Sequence, residues 1–298
     1  MKRIFILLAV FCLMASCTGN DKTNEPAPAN NKAAILMVHF GTTHDDTRAL
    51  TIDAINQKVK ESFPEYDVFE AYTSRIIIKR LKERGIEKQT PSQVLERLIA
   101  EGYKKVYIQP TNIITGKENK TLALEVEKVR DKFTDIRTGK ALLYSLEDTK
   151  EVVAILSERH SQSSPDSHVL LVGHGTDDPG NALYSQTDYM FKSQGYGNFH
   201  VATIEGFPEF DDALMQLQKQ KARKVTLVPF MFVAGDHAAN DISQDWKKSL
   251  EGNGFQVDVK MEGLGQVPEI QDIFIRHLNE AMESGEEDFL QTKDSYLK

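Results

Sequence analysis

Short runs of Val, Ile, Leu and Phe recur along this chain and alternate with longer amphipathic stretches. Residues 34–40 read as a strand, and 45–63 as a helix with Leu50, Ala54, Ile55 and Val59 along one face. Residues 66–72 are strand-like again. Residues 76–84 and 90–101 read as helices, the second opened by Thr90-Pro91-Ser92-Gln93 with Pro at the first helical position. A third strand follows at 105–110 and a helix at 117–132. Apolar strands alternating with helices of this length predict βαβ units and a mostly parallel sheet buried on both faces.

The second half repeats the scheme. ILMVHFGT (35–42) lines up with VLLVGHGT (169–176), and KKVYIQPTNIITG (104–116) with RKVTLVPFMFVAG (223–235). Two matches in the same order predict an internal duplication. The expected fold class is therefore α/β, with two similar lobes, each a mostly parallel sheet flanked by helices, and a cleft between them. The N-terminal lobe covers 33–148 and the C-terminal lobe 149–285, with a polar tail at 286–298.

Three residues of the second lobe follow apolar runs, where parallel strands end and ligand crevices form: His174 in VLLVGHGT, Glu205 in HVATIEGF and His237 in KVTLVPFMFVAGDH. Successive members stand roughly 30 residues apart, about one strand–helix–strand unit, so three strands would deliver them to one sheet edge. Two imidazoles and a carboxylate suit a divalent transition metal. Taken singly, each has an ordinary explanation: His174 as a loop cap, Glu205 as a salt-bridge partner, and His237 as a helix N-terminal residue behind the cap Asp236. Asp241 is either a partner that orients His237 or a solvated helix charge. In the repeat, Phe40 and Glu118 stand opposite His174 and His237, and roughly Tyr72 opposite Glu205. The first lobe is thus expected to supply a wall and a grip rather than ligands. His39 and His44 either line the cleft or, for His39, point to the opposite face; His160, His168, His200 and His277 read as surface or core-edge residues.

The N-terminus changes the picture of where the chain works. Lys2 and Arg3 precede an apolar stretch, 4–14, too short to span a bilayer, and Ala15-Ser16-Cys17 forms a small-residue cleavage site. Residues 1–16 are expected to be a signal peptide. Leu13-Met14-Ala15-Ser16-Cys17 resembles a bacterial lipobox, which makes Cys17 the lipidated first residue of a tether over 17–32. The expected location is export and membrane anchoring, facing the periplasm or on the outer membrane. Cys12 lies in the removed segment, so no disulfide forms within the mature fold.

The 298 residues are 40% hydrophobic and carry a formal net charge of −8, which loss of Lys2 and Arg3 makes more acidic still. Without a basic run, nucleic-acid binding is disfavoured. The chain has no Walker-type phosphate loop, Gly-x-Ser-x-Gly elbow, Gly-x-Gly-x-x-Gly turn or His-Glu-x-x-His helix, which argues against phosphoryl transfer, serine hydrolysis, dinucleotide redox chemistry and zinc proteolysis.

Several stretches together resemble the anaerobic sirohydrochlorin cobaltochelatase family, within the class II chelatase group that includes ferrochelatases: HFGTTHDDTRALTIDAI, AYTSRIIIKRL, GYKKVYIQPTNIITG, GHGTDDPGNALY, TIEGFPEFDDAL, KVTLVPFMFVAGDHAANDI and GLGQVPEI. They span nearly all of the mature chain in the family's order. The resemblance implies a two-lobed fold, metal ligation and catalysis by His174, Glu205 and His237, and insertion of Co²⁺ into sirohydrochlorin as in cobalamin biosynthesis. Imidazole suits Fe²⁺, Ni²⁺ and Zn²⁺ as well, so ligand type does not select cobalt. The substrate's carboxylates need cations; Arg48, Arg75, Lys79, Lys117 and Lys120 are the first-lobe candidates. Asn112 and Asp178 stand where the family pattern often has His. The lipobox keeps a second reading open, an anchored lipoprotein that binds haem or another metallotetrapyrrole for uptake, with or without removing its metal; a periplasmic metal-binding protein without turnover is a third. A homo-oligomer is compatible with either of the first two.

Overall fold

The structure, a computed structural model, describes residues 32–162, 164–235 and 238–283. The first half runs β1 (Ala33–His39), α1 (Asp45–Arg48), a π-helical turn (Ala49–Asp53), α2 (Ala54–Ser62), β2 (Asp67–Tyr72), α3 (Arg75–Glu83), α4 (Pro91–Ala100), β3 (Lys105–Pro110), α5 (Lys117–Glu127) and β4 (Asp135–Thr138). After α6 (Leu146–Arg159) the second half runs β5 (Ser167–Gly173), α7 (Ala182–Ser193), β6 (Phe199–Thr203), α8 (Phe210–Lys219) and β7 (Lys224–Pro229). A π-helix (Ala238–Trp246) leads into α9 (Lys247–Gly252), followed by β8 (Gln256–Val259) and α10 (Pro268–Glu283).

The strands form two four-stranded parallel sheets of the same order, β2-β1-β3-β4 and β6-β5-β7-β8. The repeated segments supply β1 with β5 and β3 with β7, the two interior strands of each sheet. Every residue of β5 is buried, as the unbroken apolar run requires of a strand covered on both faces.

Two helices cross between the halves. The α6 helix follows the last strand of the first sheet but packs on α7, whereas α10 follows the last strand of the second sheet and packs back on β3 and β4. The position between 148 and 149 therefore lies within α6. One apolar core runs from Ile35 and Met37 of β1 through Val152 of α6 and Phe274 of α10 to Val169 and Leu171 of β5. The outer face of each sheet has its own smaller core. Both sheets belong to one compact unit.

Local chemistry explains most boundaries. Thr90 and Gln93 form a reciprocal capping box ahead of Pro91 at the start of α4. The helix predicted over 45–63 is instead interrupted by the π-helical turn. Its wider winding shifts the buried face, so Thr51 and Ile52 are covered while Leu50 is 57% exposed. Likewise, the segment after 237 is a π-helix before it becomes α-helical.

The expectations for 1–16, for Cys17 with most of its tether, for Asp236 and His237, and for 286–298 lie outside the described residues. Among the described residues no helix is long and apolar enough to cross a membrane.

Candidate metal and tetrapyrrole site

The ends of β5 and β6 set two predicted ligands side by side. Beyond the strands the ladder continues for two rungs, Ile204 N to Gly173 O at 3.1 Å and Glu205 N to His174 O at 2.8 Å. His174 Nδ1 then lies 4.0 Å from Glu205 Oε2, with side chains 39% and 62% exposed. His174 Nδ1 is also 3.1 Å from the carbonyl of Gly175. A carbonyl only accepts, so in the neutral imidazole the proton resides on Nδ1 and the lone pair on Nε2.

The turn after His174 depends on glycine. Gly175 has φ +81°, and a Cβ there would sit 2.8 Å from both Gly206 N and Thr203 Cβ. Asn181 braces the two loops from above: its carbonyl oxygen accepts from Thr176 N at 3.0 Å and its amide donates to Phe207 O at 2.6 Å.

These groups open onto a cleft of about 840 Å³ lined by strand ends of both sheets, including Phe40, Ser74 and Thr111 from the first half and His174, Glu205 and Phe230 from the second. Ser74 N donates to Phe40 O at 3.2 Å, the counterpart of the Glu205–His174 rung. The residue matching Glu205 is thus Ser74, two positions beyond Tyr72, and its hydroxyl accepts from Ile77 N to cap α3. Asn112 lines the cleft as well. Among the described residues no group of three or more His, Cys, Asp or Glu is placed to hold a metal; His174 and Glu205 are brought together and His237 lies outside them.

The predicted cations separate into distinct settings. Lys117 lines the cleft and pairs with Asp177 of the other half. Lys120 pairs with Asp178, which also accepts from Gly180 N at 2.9 Å. The Lys120 ammonium, with the Gly180 N–H second, holds the Asp178 carboxyl below the usual carboxylate range. Arg48 is bound to Asp45 and Asp53 and does not line the cleft; neither do the exposed Arg75 and Lys79 on α3. Sequence reasoning missed Arg80, which lines the cleft one helical turn after Ile76, another lining residue. That spacing was the available signal.

His39 is 1% exposed, beneath the cleft floor. Burial pushes its pKa down to about 4. His160, His168, His200 and His277, read above as surface or core-edge residues, are all buried. Side-chain pairing explains three of them: His168 Nδ1 and His200 Nε2 lie 2.9 Å apart, His200 Nδ1 reaches Gln216, and His277 Nε2 reaches Asp148 at 3.0 Å.

Residues 33–283 match the family model described as "Cobalt chelatase (CbiK)". A sirohydrochlorin cobaltochelatase of Salmonella typhimurium is 35% identical over 256 residues, covering 84% of this chain and 97% of its own. Sirohydrochlorin cobaltochelatase CbiKC of Nitratidesulfovibrio vulgaris is 29% identical over 258 residues, 84% of this chain and 91% of its own. Among solved structures, SirB from Bacillus subtilis with Fe3+ superposes with a TM-score of 0.63 at 16% identity, over 87% of this chain and 98% of that one. CbiX, described as the terminal enzyme for biosynthesis of siroheme in denitrifying bacteria, gives 0.50 at 18% identity, over 83% and 99%. These last two likenesses carry the two-lobed fold, whereas the match across nearly the whole folded chain carries the family: this chain belongs to the cobalt chelatase (CbiK) family.

Proposed function

We propose that the protein inserts Co²⁺ into sirohydrochlorin, with His174, Glu205 and His237 holding the incoming ion. The observation that carries this reading is the His174–Glu205 pair, 4.0 Å apart at adjacent strand ends inside the interlobe cleft. A neutral imidazole and a carboxylate bind a divalent ion yet leave coordination positions for pyrrole nitrogens. The cleft volume of about 840 Å³ suits a large organic ligand. Glu205, exposed within the cleft, is placed to take up a proton released as the ring nitrogens bind the metal. Lys117 and Arg80, as lining cations, are the better-placed partners for the ring's carboxylates. Mixing purified protein, Co²⁺ and sirohydrochlorin should change the absorption spectrum over many turnovers. His174→Ala, Glu205→Gln and His237→Ala should each abolish that change without lowering the melting temperature. Metal binding by the unaltered protein without any cobalt insertion would overturn the assignment.

A second reading rests on the lipobox at Cys17. Export and lipid anchoring would put the chain on the periplasmic side or the outer membrane, away from a cytoplasmic intermediate and within reach of haem. Mass spectrometry of the mature N-terminus tests the anchor. A stoichiometric Soret shift with haem, without cobalt insertion into sirohydrochlorin, would favour metallotetrapyrrole capture.

A further inference from the structure

A buried polar chain runs from the cleft floor through the first lobe. Thr111 Oγ1 lies 3.0 Å from His39 Nδ1, and His39 Nε2 lies 3.0 Å from Asn56 Oδ1. Asn56 Nδ2 lies 3.0 Å from Glu70 Oε2, and Lys88 pairs with the other Glu70 oxygen. The direction of every proton follows from the far end. A carboxylate only accepts, so the Asn56 amide donates to Glu70. The Asn56 carbonyl then faces His39 and accepts from Nε2–H. His39 is neutral, because burial holds its pKa near 4, so Nδ1 bears a lone pair and takes the Thr111 hydroxyl hydrogen. The competing acceptor, Val38 O, is 3.4 Å away, beyond the usual range for a hydroxyl donor. With its hydrogen committed to His39, Thr111 Oγ1 has only lone pairs left for a further partner, and Thr111, 4% exposed, lines the cleft. The duplicated lobe has no such device: Phe230 N donates to Val172 O as Thr111 N does to Val38 O, which puts Phe230 at the matching place.

Thr111 of the first lobe and the His174–Glu205 pair of the second line the same cleft. A metal-free tetrapyrrole carries two inner N–H groups, and metallation removes both. We propose that Thr111 is a specificity-determining residue whose oxygen accepts an inner N–H of the metal-free macrocycle, so that the cleft binds the free base in preference to the metallated product. Asn56, Glu70 and Lys88 act through His39 as positioning residues that keep the hydroxyl turned away from the ring. A neutral His39 with its lone pair already engaged is a poor proton acceptor, so the chain orients a hydroxyl and does not carry protons away. This inference rests on the cleft being the tetrapyrrole site.

The test is fluorescence-quenching titration of the full-length protein with sirohydrochlorin and, separately, with cobalt-sirohydrochlorin, giving a ratio of two dissociation constants. Thr111→Val should lower the preference for the free base by roughly 3- to 10-fold, the range of one neutral hydrogen bond, while the constant for the cobalt complex stays within about 2-fold of the original. Thr111→Ser should keep the preference, and guards against a folding defect in the valine variant. Asn56→Leu should shift the ¹⁵N resonances of His39 away from the Nε2–H pattern and reduce the preference part-way. Equal weakening of both macrocycles in Thr111→Val, or no change in either, would overturn the proposal. Failure of the unaltered protein to bind either macrocycle would instead count against the chelatase reading itself.

Discussion

His39 and His174 stand one position apart in the aligned repeat and have opposite fates. The His39–Thr73 and Gly173–Ile204 rungs are equivalent, so His39 is the last residue of its strand and His174 the first beyond its strand. Because side chains alternate along a strand, a one-residue displacement sends the group to the other face. His39 turns inward, stacks on Phe232 with ring centroids 6.0 Å apart and spends both nitrogens on hydrogen bonds. His174 enters the cleft beside a carboxylate. The chemistry of an imidazole here is decided by its register, not by its presence in the motif.

The largest separation between the two should appear on truncation. His174→Ala is expected to cut cobalt insertion by on the order of 100-fold or more, since loss of a partner merely orienting a ligand already costs ~10- to 100-fold. Its unfolding free energy should move by less than about 0.5 kcal/mol, as for other partly exposed sites. His39→Ala should do the reverse, lowering stability by roughly 2–4 kcal/mol through unpaired Asn56 and Thr111 groups, with Co²⁺ affinity little changed. Urea titration and calorimetry with Co²⁺ on both variants check the pair of outcomes.

Acid should expose the same contrast. The pKa of His39 falls from 6.5 to about 4 on folding because burial penalises its charged form. Between these values the unfolded chain binds the extra proton, so stability is lost as pH drops through this window and regained as it rises. The contribution is of the order of 3 kcal/mol when integrated across the window. His160 and His200, lowered by burial to about 4 and about 3, push in the same direction. His39→Gln isolates the contribution of His39: its urea-derived stability should fall less between pH 7 and pH 4.5 than that of the unaltered protein. An identical fall would mean that His39 does not titrate differently on folding.

The glycines after the two strand ends sharpen the comparison further. A Cβ at Gly41 would meet Tyr72 at 2.4 Å, and one at Gly175 would meet Gly206 and Thr203 at 2.8 Å; both have φ in the left-handed region. Alanine at either should cost roughly 1–3 kcal/mol. Only Gly175→Ala should also weaken Co²⁺ binding in calorimetry, because it separates the strand ends that carry His174 and Glu205.

How far the sequence could foresee this follows from which physical signals are local. The interior strands were legible because burial on both faces demands an unbroken apolar run, and the repeat made their order legible too. The edge strands Asp135–Thr138 and Gln256–Val259 were not, since four partly polar residues at a sheet edge carry no such run. The π-helical turn after Arg48 left no compositional mark, so the face containing Leu50 was misplaced. The crossing of α6 and α10 was hidden because amphipathicity says that a face is buried, not against which sheet. At the site, strand-end position and family likeness located His174 and Glu205. The His39 network needed three-dimensional register, and the cations needed positions that charge alone does not report.

Lys117 gives the smallest expected effect and the clearest choice between roles. It lines the cleft, yet it also pairs with Asp177 across the two lobes, both side chains being largely exposed. An exposed pair of this kind contributes about 0–1 kcal/mol to stability, so Lys117→Met should leave the melting curve nearly unchanged. If the ammonium grips a substrate carboxylate, Lys117→Met should raise KM a few-fold, whereas Asp177→Asn, by releasing the cation, should lower it. If the pair serves instead as a latch between lobes, both variants should shift KM in the same direction and the double variant should add nothing. The sign of the Asp177→Asn effect thus decides whether the first lobe holds the substrate through this cation or holds the second lobe.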